Sequence, residues 1–292
     1  MRVMKKILFL CIIIFVLSAC GDKRTINDKE YYFKTIDLAE LWQFSKGKSQ
    51  TIAFIDTGIT KRAASLYKDR IVSTYNSIDD SGNVLDTNGH GTQTVSVAAG
   101  DGQGNVFGIA PKAKMVIIKA FEEGEQLKAN YIKKAISYAI DKNVDIINLS
   151  FGSFVSNKQI TREINYAINK GITVVASTGD YGNKDILFPA NMKNVISVAA
   201  KDHNTIWELS NVSSESVVAF PGVDIKALSL GKKPVSMNGT SYSSALASGY
   251  IALLRDFYTT HDILFTNNDI LSKLKELDSI HKKRPIYKSL FK

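Results

Sequence analysis

The chain has 292 residues, 45% hydrophobic and 22% charged, with no internal repeat, heptad array or low-complexity tract, so it reads as one large globular domain. Lysine and arginine outnumber acids by 37 to 28, a net charge of +9. No zinc-ligand spacing, no aromatic motif interleaved with basic residues and no recognition-helix signature accompanies that charge, so nucleic acid is not an expected partner.

Arg2, Lys5 and Lys6 precede an apolar run over residues 7–17, too short for a comfortable membrane span. The run ends in Leu17-Ser18-Ala19-Cys20, which resembles a bacterial lipoprotein signal: residues 1–19 are removed and Cys20 is lipidated. An ordinary secretory signal cleaved near Ala19 is the alternative, and either takes the domain out of the cytoplasm. The only other cysteine is Cys11, inside the apolar run, so the remaining domain has no pair for a disulfide. The expected location is the extracytoplasmic face of a bacterial cell membrane, with residues 20–30 as a tether and 31–292 as the folded domain. Only about thirty residues separate Cys20 from the first strand, so the aromatic-rich stretch 22–50 is expected to be an arm of that domain and folding to proceed without a long pro-segment.

Apolar, β-branched runs at 51–55, 114–119, 145–149, 172–177 and 195–199 have the length and composition of buried parallel strands. Between them, Ile132, Ala135, Ile136, Ala139 and Ile140 share one helical face, as do Ile160, Ile164, Ala167 and Ile168. Further helices are expected over 91–99 and 243–257. This alternation predicts an α/β fold: three layers, a doubly wound and mostly parallel sheet with helices on both faces. In such sheets functional sites gather beyond the carboxyl ends of strands. The basic tail, from Lys282-Lys283-Arg284 to Lys288 and Lys292, is read as a solvated chain end.

Three distant segments carry chemistry: Ile55-Asp56-Thr57-Gly58, Asn88-Gly89-His90-Gly91-Thr92 and Asn238-Gly239-Thr240-Ser241. A serine hydroxyl becomes a nucleophile when an imidazole takes its proton, and the imidazole needs a carboxylate to fix its tautomer. Ser241, His90 and Asp56 fit those roles. The other histidines, His203, His261 and His281, lack a glycine-flanked context. Each segment alone has an ordinary explanation as a turn or helix cap. Together, in one order, they point to acyl transfer on a peptide bond.

At these motifs the chain resembles the subtilisin-like serine proteases, the subtilase family (peptidase S8), over about residues 30–290. The order Asp, His, Ser along the chain is the one known for subtilisin. Ser150-Phe151-Gly152 resembles the family's Ser-Leu-Gly segment, which pairs with extended substrate and walls the primary specificity pocket, and Phe107-Gly108-Ile109-Ala110-Pro111 resembles its Gly-Val-Ala-Pro. The resemblance implies that 31–292 is a subtilisin-like catalytic domain, a serine endopeptidase with a peptide or protein substrate in extended conformation. The lipoprotein-like signal adds membrane tethering, and the short stretch before the first strand favours a selective enzyme over a broad one, for example one that removes leader peptides. The resemblance also implies that catalysis requires no cofactor and no metal. Structural calcium, common in the family, has candidate oxygen ligands at Asp101-Gly102-Gln103-Gly104-Asn105 and Asp79-Asp80-Ser81-Gly82-Asn83, which turn chemistry explains as well.

The departures from the family pattern matter as much. Where the family has Gly-Asn, this chain has Gly179-Asp180, an acceptor in place of the oxyanion donor. The backbone N–H of Ser241, at a helix start, remains the other donor. Three states of Asp180 fit the sequence: protonated through burial and donating, turned away while another group serves, or charged and leaving a catalytically weak or inactive peptide-binding lipoprotein on the same frame. Leu187, in Leu187-Phe188-Pro189, stands where many members have glycine at the pocket floor and implies a preference for small or apolar residues before the cleaved bond. Tyr242 follows the serine where the family often has methionine.

Overall fold

The computed structural model describes residues 30–122, 127–213, 216–277, 279–282 and 285–291. The signal peptide, Cys20 and all but the last residue of the tether expected from the sequence lie outside the described residues. The chain orders its elements as α1 (Tyr31–Thr35), α2 (Leu38–Phe44), β1 (Thr51–Asp56), α3 (Lys61–Leu66), β2 (Ile71–Asn76), α4 (His90–Ala99), β3 (Lys114–Lys119), α5 (Ala129–Asp141), β4 (Ile146–Leu149) and α6 (Lys158–Asn169). There follow β5 (Thr173–Ser177), β6 (Ile196–Asp202), β7 (Thr205–Ile206), β8 (Val218–Pro221), β9 (Ile225–Ala227), β10 (Val235–Met237), α7 (Thr240–Thr260) and α8 (Asn267–Glu276).

The main sheet runs β2-β3-β1-β4-β5-β6, with β8 parallel beside β6 and the short β7 antiparallel on it. Its central strands are buried on both faces, so alternate residues serve two cores. Ile52 and Phe54 of β1, Met115 and Ile117 of β3 and Val175 of β5 join the core under α4 and α7. Ala53, Ile55, Val116, Ile118, Val174 and Ala176 join the core under α5 and α6. The expected three-layer α/β architecture is observed, and α5 buries the face read from its sequence, Ile132, Ala135, Ile136 and Ala139.

β1 lies between β3 and β4; the connection from β1 goes toward β2 on one side, and that from β4 goes toward β5 on the other. A crevice opens at such a switch point beyond the carboxyl ends of the strands. Asp56 ends β1 there and Ser150 follows β4. Both helices expected to follow His90 and Ser241 begin earlier than the sequence suggested. His90 is itself the first residue of α4, and Ser241 is the second residue of α7. Glycine precedes each helix, which let the apolar period start late in the sequence while the backbone turn started earlier.

The N-terminal arm folds as α1 and α2 against the domain, with Trp42 donating to the Ile109 carbonyl at 2.7 Å and Tyr31 to the Val223 carbonyl at 2.7 Å. The tail departs from its reading as a solvated end. Tyr287, Leu290 and Phe291 are buried, and the Tyr250 and Tyr258 hydroxyls donate to the carbonyls of Tyr287 and Leu290 at 2.6 and 2.8 Å. Its aromatic residues, spaced between the basic ones, supply the packing that the charge count concealed.

The two helices that carry His90 and Ser241 approach closely because residue 249 has no side chain. A Cβ at Gly249 would sit 2.7 Å from the Ala98 carbonyl oxygen of α4 and 2.7 Å from the Ile109 Cβ. Backbone cannot yield as a flexible side chain does. Gly249→Ala is therefore expected to destabilise the fold by about 1–3 kcal/mol, the usual cost of overpacking, measured by chemical unfolding; an unchanged midpoint would show that the helices separate freely.

Candidate active site

Asp56 is 1% exposed, and a carboxylate so buried must be met by donors. Its Oδ1 accepts the Thr57 N–H at 2.7 Å and faces His90 Nδ1 at 2.7 Å, while Oδ2 accepts the Thr94 hydroxyl at 3.1 Å. Thr94 lies one turn along α4 from His90, so the helix start brings both groups to the same carboxylate. Gly89, with φ 105°, makes the left-handed turn into the helix. Asn88 Oδ1 accepts the His90 N–H at 2.9 Å.

With Nδ1 engaged by Asp56, Nε2 is the imidazole nitrogen left for proton exchange. The side chain is about a quarter exposed. Burial by itself pushes the imidazole down, but the charge and hydrogen bond of Asp56, aided by Asp86 and Asp180, outweigh it and raise His90 above its ordinary 6.5.

Ser241 stands on the first turn of α7, and its hydroxyl donates to the Ser150 carbonyl at 3.1 Å. It makes no hydrogen bond to His90: the acid and the imidazole are joined, while the hydroxyl is held by the Ser150 carbonyl. Its backbone N–H has no acceptor among the described residues, as expected of a donor in the first turn of a helix. Beneath it a polar seam fixes α7 to β4: Ser248 donates to Asn148, Asn148 to Ser150, and Ser150 and Ser244 hydroxyls both reach the Ser241 carbonyl at 3.0 and 2.8 Å. The next residue, Tyr242, places its ring 6.0 Å from that of His90 and donates to Gln93 Oε1 at 2.8 Å.

Asp180 is exposed, so the burial that the first of its three states requires is absent. Its Oδ1 accepts both the N–H of Thr240 at 2.9 Å and the Thr240 hydroxyl at 2.7 Å. Oδ2 lies against Gly239, 3.0 Å from where a Cβ would stand. The carboxylate is thus held at the start of α7, next to the serine, as an acceptor.

Leu187 is 6% exposed and wedged between two glycines. A Cβ at Gly152 would lie 2.7 Å from Leu187 Cδ1, and one at Gly179 would lie 2.8 Å from the same atom. The Ser153–Phe188 backbone pair, at 2.8 and 2.9 Å, closes the strip behind them. Phe151 packs edge-on against Phe121 at 5.5 Å. Of the four residues singled out for substrate binding, Gly152 and Leu187 are in contact, Ser150 bonds to the Ser241 carbonyl, and Phe151 packs away on Phe121.

Among the described residues no group of three or more His, Cys, Asp or Glu is arranged to hold a metal ion. In the two calcium candidate loops, Asp101 pairs with Arg70 at 3.3 Å and Asp80 with Lys134 at 2.5 Å. Sequence reasoning missed Thr57, Thr94 and Asp86, because a threonine or aspartate near glycine reads as turn chemistry. Only the position of Asp86, four residues before His90, was there to be noticed.

Residues 47–277 match the family model described as the subtilase family, Peptidase S8. The chain is 34% identical over 217 residues to the thermophilic serine proteinase of Bacillus sp. strain AK1, covering 73% of this chain and 54% of that protein. It is 31% identical over 246 residues to the major intracellular serine protease of Bacillus subtilis strain 168, covering 80% and 76%. The chain thus spans about half the length of the first relative and three quarters of the second. Among solved structures, that of the prenylagaramide maturation protease PagA superposes with a TM-score of 0.69 at 22% identity, covering 80% of this chain and 85% of that one, a likeness of fold. The family match over most of the chain, together with identity above 30% to serine proteinases, shows that this chain belongs to the subtilase family of serine endopeptidases.

Proposed function

We propose that this serine endopeptidase is a membrane-tethered, extracytoplasmic processing protease whose catalytic groups are Asp56, His90 and Ser241. The observation that carries the reading is the Asp56–His90 contact at 2.7 Å with Ser241 on the adjoining helix start. In the proposed cycle the Ser241 hydroxyl leaves the Ser150 carbonyl and turns to Nε2 of His90, which accepts its proton as the oxygen attacks the peptide carbonyl. Asp56 stabilises the imidazolium. The orphan N–H of Ser241 meets the oxyanion, and His90 returns the proton to the leaving amine to give an acyl-enzyme, which water then hydrolyses. The extended substrate lies along Ser150, Phe151 and Gly152 by strand addition.

Narrow specificity is supported by Leu187, whose side chain fills the space between Gly152 and Gly179. Removal of leader peptides suits such a pocket, and the fold neighbour PagA is titled a maturation protease. Tethering through lipidated Cys20 rests on the sequence of residues 1–20. A second reading, a weak or inactive peptide-binding lipoprotein, is favoured by one observation: Asp180 is an acceptor where a donor is wanted.

Labelling separates the two readings. A fluorophosphonate is expected to modify the protein at Ser241 and to leave Ser241→Ala unmodified; peptide binding without labelling would favour the second. Asp180→Asn keeps an oxygen for Thr240 and replaces Oδ2 with an amide donor, so kcat is expected to rise about tenfold or more, given that one such donor is worth about 10²–10³ in subtilisin. A large fall would overturn this account of the site. Leu187→Gly opens the wall and is expected to increase cleavage after large residues, about tenfold, relative to cleavage after small ones, read by profiling a peptide library; an unchanged profile would remove Leu187 from specificity.

A further inference from the structure

Asp86 is a buried carboxylate that the proposed cycle does not use. It is 2% exposed, lies in the loop before α4, and accepts five hydrogen bonds. Oδ1 receives the Thr57 hydroxyl at 3.0 Å and the N–H groups of Asn88 and Gly89 at 3.0 and 2.8 Å. Oδ2 receives the N–H and the hydroxyl of Thr92 at 2.9 and 2.6 Å. None of these donors is a cation. Lys119, on the neighbouring strand, is bound instead to the Leu85 carbonyl and to Glu122, each at 2.7 Å. Burial pushes the Asp86 carboxyl up, but the bonds from Gly89, Thr92 and Thr57 outweigh it and hold it below the ordinary carboxylate value, so it is ionised wherever a histidine titrates.

The five bonds connect the two halves of the acid–imidazole pair. Thr57 donates its hydroxyl to Asp86, accepts the Gly91 N–H at 2.9 Å, and donates its own N–H to Asp56. Gly89, Gly91 and Thr92 surround His90 in the chain. Asp86 therefore ties the end of β1 to the first turn of α4 through Thr57. The charges acting on the imidazole are Asp56 from β1, Asp86 from the loop before α4 and Asp180 from the loop after β5; the ring of Tyr242 from α7, whose phenol burial keeps neutral, lies 6.0 Å away.

We infer that Asp86 is a positioning residue of the catalytic centre: a permanent negative charge under the helix that carries His90, locking that helix to β1 through Thr57 and favouring the imidazolium formed during the reaction. The inference rests on the reading of His90 as the base. It explains why a carboxylate without a cationic partner is kept in this interior, where an isolated charge is costly.

The test uses the full chain with Asp86→Asn and Thr57→Val, read by NMR titration of the His90 ring and by kcat and KM against pH. In the unsubstituted protein His90 is expected to titrate above 6.5. Because the base works only when neutral, activity is lost as pH falls through that midpoint. Asp86→Asn is expected to lower the midpoint by about half a unit or more and to reduce kcat about tenfold with little change in KM. Thr57→Val retains the charge, so it is expected to lower kcat and leave the midpoint in place. A folded Asp86→Asn protein with an unmoved midpoint overturns the inference, as does Thr57→Val with undiminished kcat. Should Asp86→Asn fail to fold, Thr57→Val decides alone. The NMR readout needs no activity, so an unlabelled, inactive protein would refute the base assignment while still reporting whether Asp86 acts on the imidazole.

Discussion

A carboxylate withdrawn from water must find donors inside the protein, and two of them are satisfied here by a single helix start. Asp56 and Asp86 are both nearly inaccessible, and the first turns of α4 supply Thr94 and His90 to one and Gly89 and Thr92 to the other. Anions at the positive end of a helix are also favoured by its dipole. The position of His90 follows from this arrangement. Its ring is placed because the backbone and threonines around it are already committed to neutralising buried charge.

The second constraint is the seam between α7 and β4. A long helix lying over a sheet is usually held by large apolar side chains, but at its active end α7 presents Ser243, Ser244 and Ser248, all buried. Small residues let the helix approach, and their hydroxyls satisfy Asn148 and the Ser241 carbonyl in the interior. That closeness also places the Ser150 carbonyl within reach of the Ser241 hydroxyl. Farther along the same helix Gly249 allows the crossing with α4.

Much of this was legible in the amino-acid order. The central strands announce themselves by runs such as Ile52-Ala53-Phe54-Ile55, which need cover on both sides, and α5 by its repeating apolar face. Of the three glycine-flanked segments, the residue types complete one another on paper, and the contact of Asp56 with His90 is the part the fold displays. β2 escaped notice, since as an edge strand it mixes exposed Val72 with half-buried Ser73 and Thr74 and shows no clean period. Asp86 escaped because a turn aspartate and a buried structural anion look alike until the donors around them are known. The exposure of Asp180 is likewise tertiary, set by the loop it shares with Leu187 rather than by its neighbours in the chain.

The far end of α7 has a kinetic implication. Asp256 is bonded to Ser45 from 211 positions away, Arg255 to Gln50 from 205, and Lys288 reaches Glu40 across 248. Bonds between such remote partners form only after most of the polypeptide has been gathered, and loop-closure entropy opposes each until then. α7, which bears Ser241, consequently acquires its full set of neighbours only once residues 45–50 and 287–290 have docked on it.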